Sequence, residues 1–199
     1  MTTTTAAYEA RAAEYTELLG SMSAVHPSDR QIIESWAARF DGDVLDAGCG
    51  PGHWTDFLNG LGVRARGIDL VPGFIAHARA AYPSIRFDIG SIDDVDEPAG
   101  ALGGVLSWFS TIHCEPDRIA RPLAEFARVL RPGGSLALGF FHGAAVEPFD
   151  HAVTRAYRWP ADQLSAVLDA VGFDVIETHT RDTHGQRPVG TMICERRAG

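Results

Sequence analysis

The stretch Val44-Leu45-Asp46-Ala47-Gly48-Cys49-Gly50-Pro51-Gly52 decides how the rest of the chain is read. A short apolar run meets an acid, and three glycines then alternate. Trp54, Phe57, Leu58 and Leu61 follow at helical spacing. Strand, glycine turn and helix form the arrangement by which α/β proteins bring backbone close to a ligand. Glycine is needed there because a Cβ blocks either the sharp turn or the ligand itself. Asp69 stands seventeen residues past Gly52, near the end of a second apolar run, Gly67-Ile68-Asp69-Leu70.

Outward from this stretch, strands and helices alternate. The first strand spans about 43–47 and its helix 53–61; the second strand spans 64–69. Pro72 suits the first turn of a helix that directs Ile75, Ala78 and Tyr82 inward. A third strand is expected over 85–88, a solvated acidic loop over 90–100, and a fourth strand over 102–108, weakened by Gly103 and Gly104. The segment 109–117 is a loop rich in functional side chains. Pro122 places the next helix start near Arg121, and Arg131-Pro132-Gly133-Gly134 stops that helix before a fifth strand over 135–140. A short strand is expected within 153–157, then a helix from Pro160 to Gly172. The last two strands, 173–179 and 189–195, have no helix between them and so pair antiparallel. Upstream, residues 1–5 read as a frayed tail and 6–19 as one helix carrying Tyr8, Ala12, Tyr15 and Leu19 on a face. Ser28 with Gln31 forms a capping-box pattern for a helix lined by Ile32, Ile33, Trp36 and Phe40.

Composition bounds the function. A chain of 199 residues holds one α/β domain with a sizeable core. The net charge of −9 argues against nucleic acid as a partner. All 17 basic residues are arginine, so no lysine is present to form a Schiff base. The three cysteines are far apart, fit no metal spacing and suit a reduced, cytoplasmic setting. Neither a signal segment nor a membrane-spanning run is visible, and no metal site is expected.

The chain resembles the small, single-domain class I S-adenosylmethionine-dependent methyltransferases over nearly its whole length. Val44 to Gly52 is similar to that family's first motif, and Asp69 stands where its ribose-binding acid stands. Arg131 to Gly134 resembles the turn before its fifth strand, and the final two strands resemble its terminal antiparallel hairpin. The implied fold is a doubly wound, Rossmann-like α/β domain over 1–199. Its seven-stranded, mostly parallel sheet runs in order 3-2-1-4-5-7-6 with the seventh strand reversed. N-terminal helices over about 6–40 cover the cofactor site. The implied cofactor is S-adenosyl-L-methionine, the acceptor a small molecule, and the assembly a monomer or homodimer.

The resemblance assigns roles by position. Gly48, Gly50 and Gly52 let the backbone pass the amino acid and ribose portions, and Asp46 stands near the ammonium end. Asp46 can equally cap the following turn. Asp69 accepts from the ribose hydroxyls and Leu70 flanks the adenine. Ser91 and Ile92 occupy the adenine-side loop, with Asp93 and Asp94 as neighbouring acids. Trp108 and Phe109 end the fourth strand beside the sulfonium, where an aromatic face favours positive charge. Tyr15, with Tyr8 as a second candidate, covers the methionine end; both also suit plain core packing. His113 is either a base for the acceptor or a hydrogen-bonding partner of cofactor or loop, and its unperturbed pKa of about 6.5 permits both. His142 and His151 are acceptor-pocket candidates; His53, His77, His179 and His184 read as surface residues. Cys49, Trp36 and Trp54 read as packing. Two other functions fit part of the pattern. A nicotinamide-dependent oxidoreductase shares the glycine-acid logic, but His53 occupies its close-packing glycine position and the terminal hairpin has no place in that fold. A binding domain that performs no methyl transfer fits the same fold.

Overall fold

The computed structural model describes residues 3–198. Its centre is a parallel sheet of β1 (Val44–Ala47), β2 (Ala65–Asp69), β3 (Phe87–Ile89), β4 (Leu102–Trp108) and β5 (Leu130–His142), ordered β3-β2-β1-β4-β5. Two short strands, β6 (Glu147–Phe149) and β7 (Ala156–Trp159), follow, and then the hairpin β8 (Phe173–Arg181) and β9 (Val189–Arg196). β9 runs antiparallel to both β5 and β8, with Leu136 opposite Cys194 and Val175 opposite the same cysteine. Without β6 and β7, the strands stand in the expected 3-2-1-4-5-7-6 order with the last reversed.

Helices cover both faces, because each central strand alternates two apolar sides. Leu45, Val105, Leu136 and Leu138 pack with Leu123 and Phe126 of α6 (Ala120–Val129) and Leu164 and Leu168 of α7 (Ala161–Ala170). Val44, Leu106, Ala137 and Ile193 pack with Ile33 and Trp36 of α3 (Pro27–Ala37) and Trp54 and Leu58 of α4 (His53–Gly60). Ile75 and Ala78 of α5 (Pro72–Ala81) close on Cys49 and Phe87. Phe74, buried, takes the inward role expected of Tyr82, which is only partly buried.

Several local expectations are corrected. The N-terminal segment is two helices, α1 (Thr3–Glu9) and α2 (Ala12–Leu19), with Arg11 at the break. On one straight helix Tyr8 and Tyr15 are about 10 Å apart along the axis; the break brings their rings to 5.7 Å. Thr5 is buried and helical rather than part of a tail, while Met1 and Thr2 lie outside the described residues. α3 starts at Pro27 with His26 as its cap, so Ser28 lies inside the helix and no capping box forms. Gly103 and Gly104 lie within β4, where its pairing with β5 is irregular between Leu102 and Gly104. A Cβ on Gly104 meets the Phe40 ring at 2.5 Å and one on Gly103 meets the Asp41 carbonyl at 2.2 Å, so the incoming chain packs directly on bare backbone. β5 begins at once after α6, and residues 131–134 form a bulge between the Leu102–Leu130 and Gly104–Ser135 pairs. No helix among the described residues is long and apolar enough to cross a membrane.

The strand pair β6–β7 shapes what lies above the sheet. β9 occupies one edge of β5 as far as Phe141, and β4 occupies the other as far as Gly139. Beyond the end of β4, Phe141 and His142 pair in parallel with Arg158 and Trp159 of β7. β7 therefore continues the β4 slot past the carboxyl end of the sheet. Tyr157 fixes it there, its amide donating to the Ile112 carbonyl at 2.9 Å and its hydroxyl to Glu115.

Candidate functional site

The carboxyl ends of β1, β2 and β4 open into two joined chambers of about 250 and 420 Å³. Tyr8, Tyr15, Gly48, Gly50, Trp108 and Phe109 line both and so form the boundary between them. The first chamber continues to Asp69, Leu70, Ser91, Ile92 and His113. The second runs to His26 and Asp29 on the N-terminal side, to Phe141 and His151, and to Arg181 at the end of β8.

The glycine turn is built from the sheet outward. The amides of Gly48 and Cys49 both donate to the Ile68 carbonyl, at 2.8 and 2.9 Å, and hold the turn against the end of β2. The Gly50 amide donates to Asp69 Oδ2 at 2.9 Å, and the Val71 amide to Oδ1 at 2.9 Å. The Asp69 carboxylate is thus locked between the two strand ends, with lone pairs left for a ligand. Burial pushes its pKa up, and the amide donors from Val71, Gly50 and Leu70 pull it back. Leu70 is 41% exposed beside it, a large apolar side chain held at the chamber wall.

Ten of the twelve residues expected at the site line this cavity: Tyr15, Gly48, Gly50, Asp69, Leu70, Ser91, Ile92, Trp108, Phe109 and His113. Asp46 and Gly52 do not. Asp46 is 1% exposed beneath the turn and accepts from Thr55 Oγ1 of α4 at 2.7 Å, so it fastens α4 to β1 instead of capping the turn. Its burial raises its pKa to about 7. A Cβ at Gly52 meets Ala78 and Phe87 at 2.9 Å, which makes that glycine a packing residue. On the loop after β3 the Ser91 hydroxyl accepts from the Asp93 amide at 3.1 Å. Asp93 lines the chamber as well, whereas Asp94 is exposed.

His113 is held at both nitrogens. Nδ1 is 2.7 Å from the Arg155 carbonyl and Nε2 is 2.8 Å from the Tyr8 hydroxyl. Burial lowers its pKa. His151 stacks edge-on to it, ring centroids 5.3 Å apart, and is lowered to about 4, first by burial and then by His113, Arg187 and Arg11. His142 does not line either chamber. His53 is not a surface residue: it lines the second chamber, its Nδ1 is buried without a partner, and burial lowers its pKa to about 4. Trp54 packs at a tilt of 58° against Trp108, ring centroids 5.1 Å apart, and also lines the second chamber. Phe109 has φ of 56°, a left-handed conformation that costs a side-chain-bearing residue strain and recurs at functional sites.

Sequence reasoning missed Asp29 and Arg181. They join in a two-pronged ion pair, Nη1 to Oδ1 at 2.7 Å and Nη2 to Oδ2 at 2.9 Å, across 152 positions of chain. A contact so distant in sequence leaves no local signal. Phe74 and His53 had one: both stand in the first turn of a helix that starts at the chamber.

A methyltransferase-domain family model matches residues 44–134, the span from β1 through the bulge that opens β5. A probable S-adenosylmethionine-dependent methyltransferase from Mycolicibacterium smegmatis is 31% identical over 141 residues, 68% of this chain and 53% of the relative. The chain belongs to the class I S-adenosylmethionine-dependent methyltransferases. A malonyl-acyl-carrier-protein O-methyltransferase from Yersinia pestis is 34% identical over 91 residues, 46% of this chain and 33% of the relative. The chain spans about half the length of the curated relatives it matches. Among solved structures, Burkholderia thailandensis 1,6-didemethyltoxoflavin-N1-methyltransferase, with S-adenosylhomocysteine bound, superposes with a TM-score of 0.77 at 20% identity, over 97% of this chain and 88% of its own. The 4+2 cyclase SpnF superposes with a TM-score of 0.78 at 16% identity, over 96% and 94%. These two likenesses concern the fold, which by itself does not fix a reaction.

Proposed function

We propose that this class I methyltransferase binds S-adenosyl-L-methionine in the first chamber and transfers its methyl group to a small molecule held in the second. The observation that carries this reading is the pair of chambers joined at Gly48, Gly50, Trp108 and Phe109. The residues present fit the cofactor. A Cβ at Gly50 meets nothing within 4 Å, so its bare backbone borders open space. Asp69 would accept from the ribose hydroxyls through its free lone pairs, with Leu70 and Ile92 flanking the adenine and Ser91 or Asp93 at its rim. Tyr15, Trp108 and Phe109 would surround the sulfonium, whose charge their ring faces favour. Bound there, the cofactor supplies an electrophilic methyl group and a neutral thioether as leaving group.

Such a reaction depends chiefly on alignment, and held geometry supplies about 7–11 kcal/mol of barrier reduction in favourable cases. The second chamber supports a small acceptor. Its wall is aromatic and histidine-bearing, from Trp54, Phe141, His26, His53 and His151, and its one arginine is already paired with Asp29. By their names, the Burkholderia neighbour acts on the small molecule 1,6-didemethyltoxoflavin and the Yersinia relative on malonyl-acyl-carrier protein. An aromatic, histidine-lined chamber suits the former kind of acceptor.

Calorimetric titration with S-adenosylmethionine, S-adenosylhomocysteine and NADH tests the cofactor. Micromolar binding of the first two is expected and none of the third; the reverse sinks the reading. Asp69→Asn loses the charge and, because the Gly50 and Val71 amides bond to separate oxygens, leaves one of them facing a side-chain NH2. It should weaken S-adenosylhomocysteine about ten- to hundredfold, the worth of one charge-assisted hydrogen bond, and lower the thermal unfolding midpoint, so affinity is read at a temperature where unfolding scans show the variant folded. Unaltered affinity would remove Asp69 from the cofactor site.

A further inference from the structure

His113 stands at the mouth of the site as an apparent base, yet its hydrogen bonds assign the two nitrogens to other work. A backbone carbonyl can only accept, so the 2.7 Å contact with Arg155 puts the proton on Nδ1. Nε2 then presents a lone pair, and the Tyr8 hydroxyl, 2.8 Å away, donates to it. The lone pair needed to deprotonate an acceptor is therefore occupied by Tyr8. His113 also lines only the first chamber, whereas Tyr8 lines both. Tyr8 is fixed in that place by rings on three sides: Tyr15 at 5.7 Å, Phe74 at 6.0 Å and His113 at 5.4 Å. Having given its proton to Nε2, its oxygen keeps lone pairs free to accept.

We propose that Tyr8 is the group that meets the acceptor, that its hydroxyl relays the acceptor's proton to His113 Nε2, and that the acceptors are molecules whose nucleophilic atom carries a proton at neutral pH: hydroxyl or ring N–H compounds. This rests on the methyl-transfer reading above. In the step, a lone pair on the acceptor heteroatom forms the bond to methyl, and the methyl–sulfur bond breaks with its electron pair left on sulfur. The heteroatom's proton moves to Tyr8 Oη as the Tyr8 proton moves to Nε2. One positive charge disappears at sulfur and one appears on the imidazolium, whose Nδ1–H stays on the Arg155 carbonyl. His113 later loses its extra proton to water. Tyr8 works as a relay and not as a tyrosinate, since burial, then Tyr15 and Asp69, push its pKa well above the usual tyrosine value. His113 acts through Tyr8 and is a positioning and proton-holding residue.

Three measurements test this. Nitrogen-15 NMR of His113 in the protein with S-adenosylhomocysteine should report the Nδ1–H tautomer. Tyr8→Phe should raise the His113 pKa, because the neutral ring loses the donor that stabilised its lone pair; an Nε2–H tautomer, or no change in that pKa, overturns the pairing. Labelled S-adenosylmethionine is then offered with phenols, alcohols and N–H heterocycles, and with carboxylates and ring nitrogens that carry no proton, of matching size. Wild-type transfer to hydroxyl or N–H members is expected; transfer only to the acceptors without a proton, or to no member, overturns the proposal. With phenol as acceptor, Tyr8→Phe and His113→Asn should each lower turnover about 10²-fold. 4-Nitrophenol, at a pH where it is already ionised, should be spared, and S-adenosylhomocysteine affinity should change less than about threefold. Equal losses on both phenols, or a loss of affinity without loss of turnover, overturn the relay. If S-adenosylmethionine itself fails to bind the wild type, it is the methyltransferase reading that falls.

Discussion

Gly48, Gly50 and Gly52 have φ of 83°, 53° and 91°, so each costs about 1–2 kcal/mol to replace by an L side chain on backbone grounds alone. What a Cβ meets then separates them. At Gly50 it meets nothing within 4 Å, at Gly52 it strikes Ala78 and Phe87 at 2.9 Å, and at Gly48 it strikes Ser110 at 2.3 Å. Gly50→Ala should therefore lose only about 1–2 kcal/mol in denaturant unfolding, while S-adenosylhomocysteine affinity falls at least about tenfold. Gly52→Ala should add an overpacking cost of about 1–3 kcal/mol and affect binding mainly through the fold. Equal stability losses at both positions would contradict the geometry. The alternation of the glycines was plain in the sequence, but the division of labour was not, since it depends on atoms of α5 and β3 that close over the turn. Asp46 gives the same lesson. An acid beside a glycine turn suggests a ligand contact, and the Thr55 hydroxyl, nine positions on, takes it instead.

At the scale of elements, α3 is the helix that anchors the N-terminal part of the chain to the sheet. Trp36 is fully buried against Val44, Leu106 and Ile193, and its indole N–H donates to Ser135 Oγ at 2.9 Å. Ser135 in turn donates to the Cys194 carbonyl at 3.0 Å, so one side chain links α3, β5 and β9. Trp36→Ala should cost about 3–5 kcal/mol in chemical unfolding, and Trp36→Phe less, since it keeps most of the ring volume. A loss below about 1 kcal/mol would mean that the helix does not depend on this anchor. Periodicity identified α3 and, in Ile33 and Trp36, its buried face, but the helix ends at Ala37, before Phe40. Periodicity failed for α1 and α2, where helix propensity runs unbroken through Ala10 and Arg11 while the chain bends to seat Tyr8 and Tyr15 together on Phe74. It also gave no sign of β6. That three-residue strand, Glu147–Phe149, forms only because β7 is placed beside it, and an alternating pattern cannot register in so short a run.

The whole molecule carries opposed titrations. Asp46, raised to about 7 from its ordinary 3.8, holds a proton in the fold that the unfolded chain has released. Its contribution is complete below about 3.8 and is lost as pH rises through about 7. His53 and His151, lowered to about 4 from 6.5, work in the other direction: their contribution is complete above 6.5 and is lost as pH falls through about 4. The two slopes overlap, so the total profile conceals both. The difference between Asp46→Asn and wild type isolates one of them, because Asn keeps an acceptor for Thr55 and cannot ionise. Relative to wild type, Asp46→Asn should gain stability steadily from about pH 4 to about pH 7 in urea unfolding; a flat difference would show that Asp46 titrates normally. The order of the sheet came from the family resemblance. By itself, the sequence determined the alternation of strands and helices, the cradle at Gly48 and Gly50, and the acid at the end of β2. Those features follow from short-range rules: apolar alternation makes strands, glycine permits the turn, and one crossover of predictable length brings Asp69 beside Gly50. Only the tertiary structure decided which side chains face each other across the cavity. Tyr8 meets His113 over 105 positions and Asp29 meets Arg181 over 152, and pairings at that distance are set by how layers pack. No pattern within a single element can encode them.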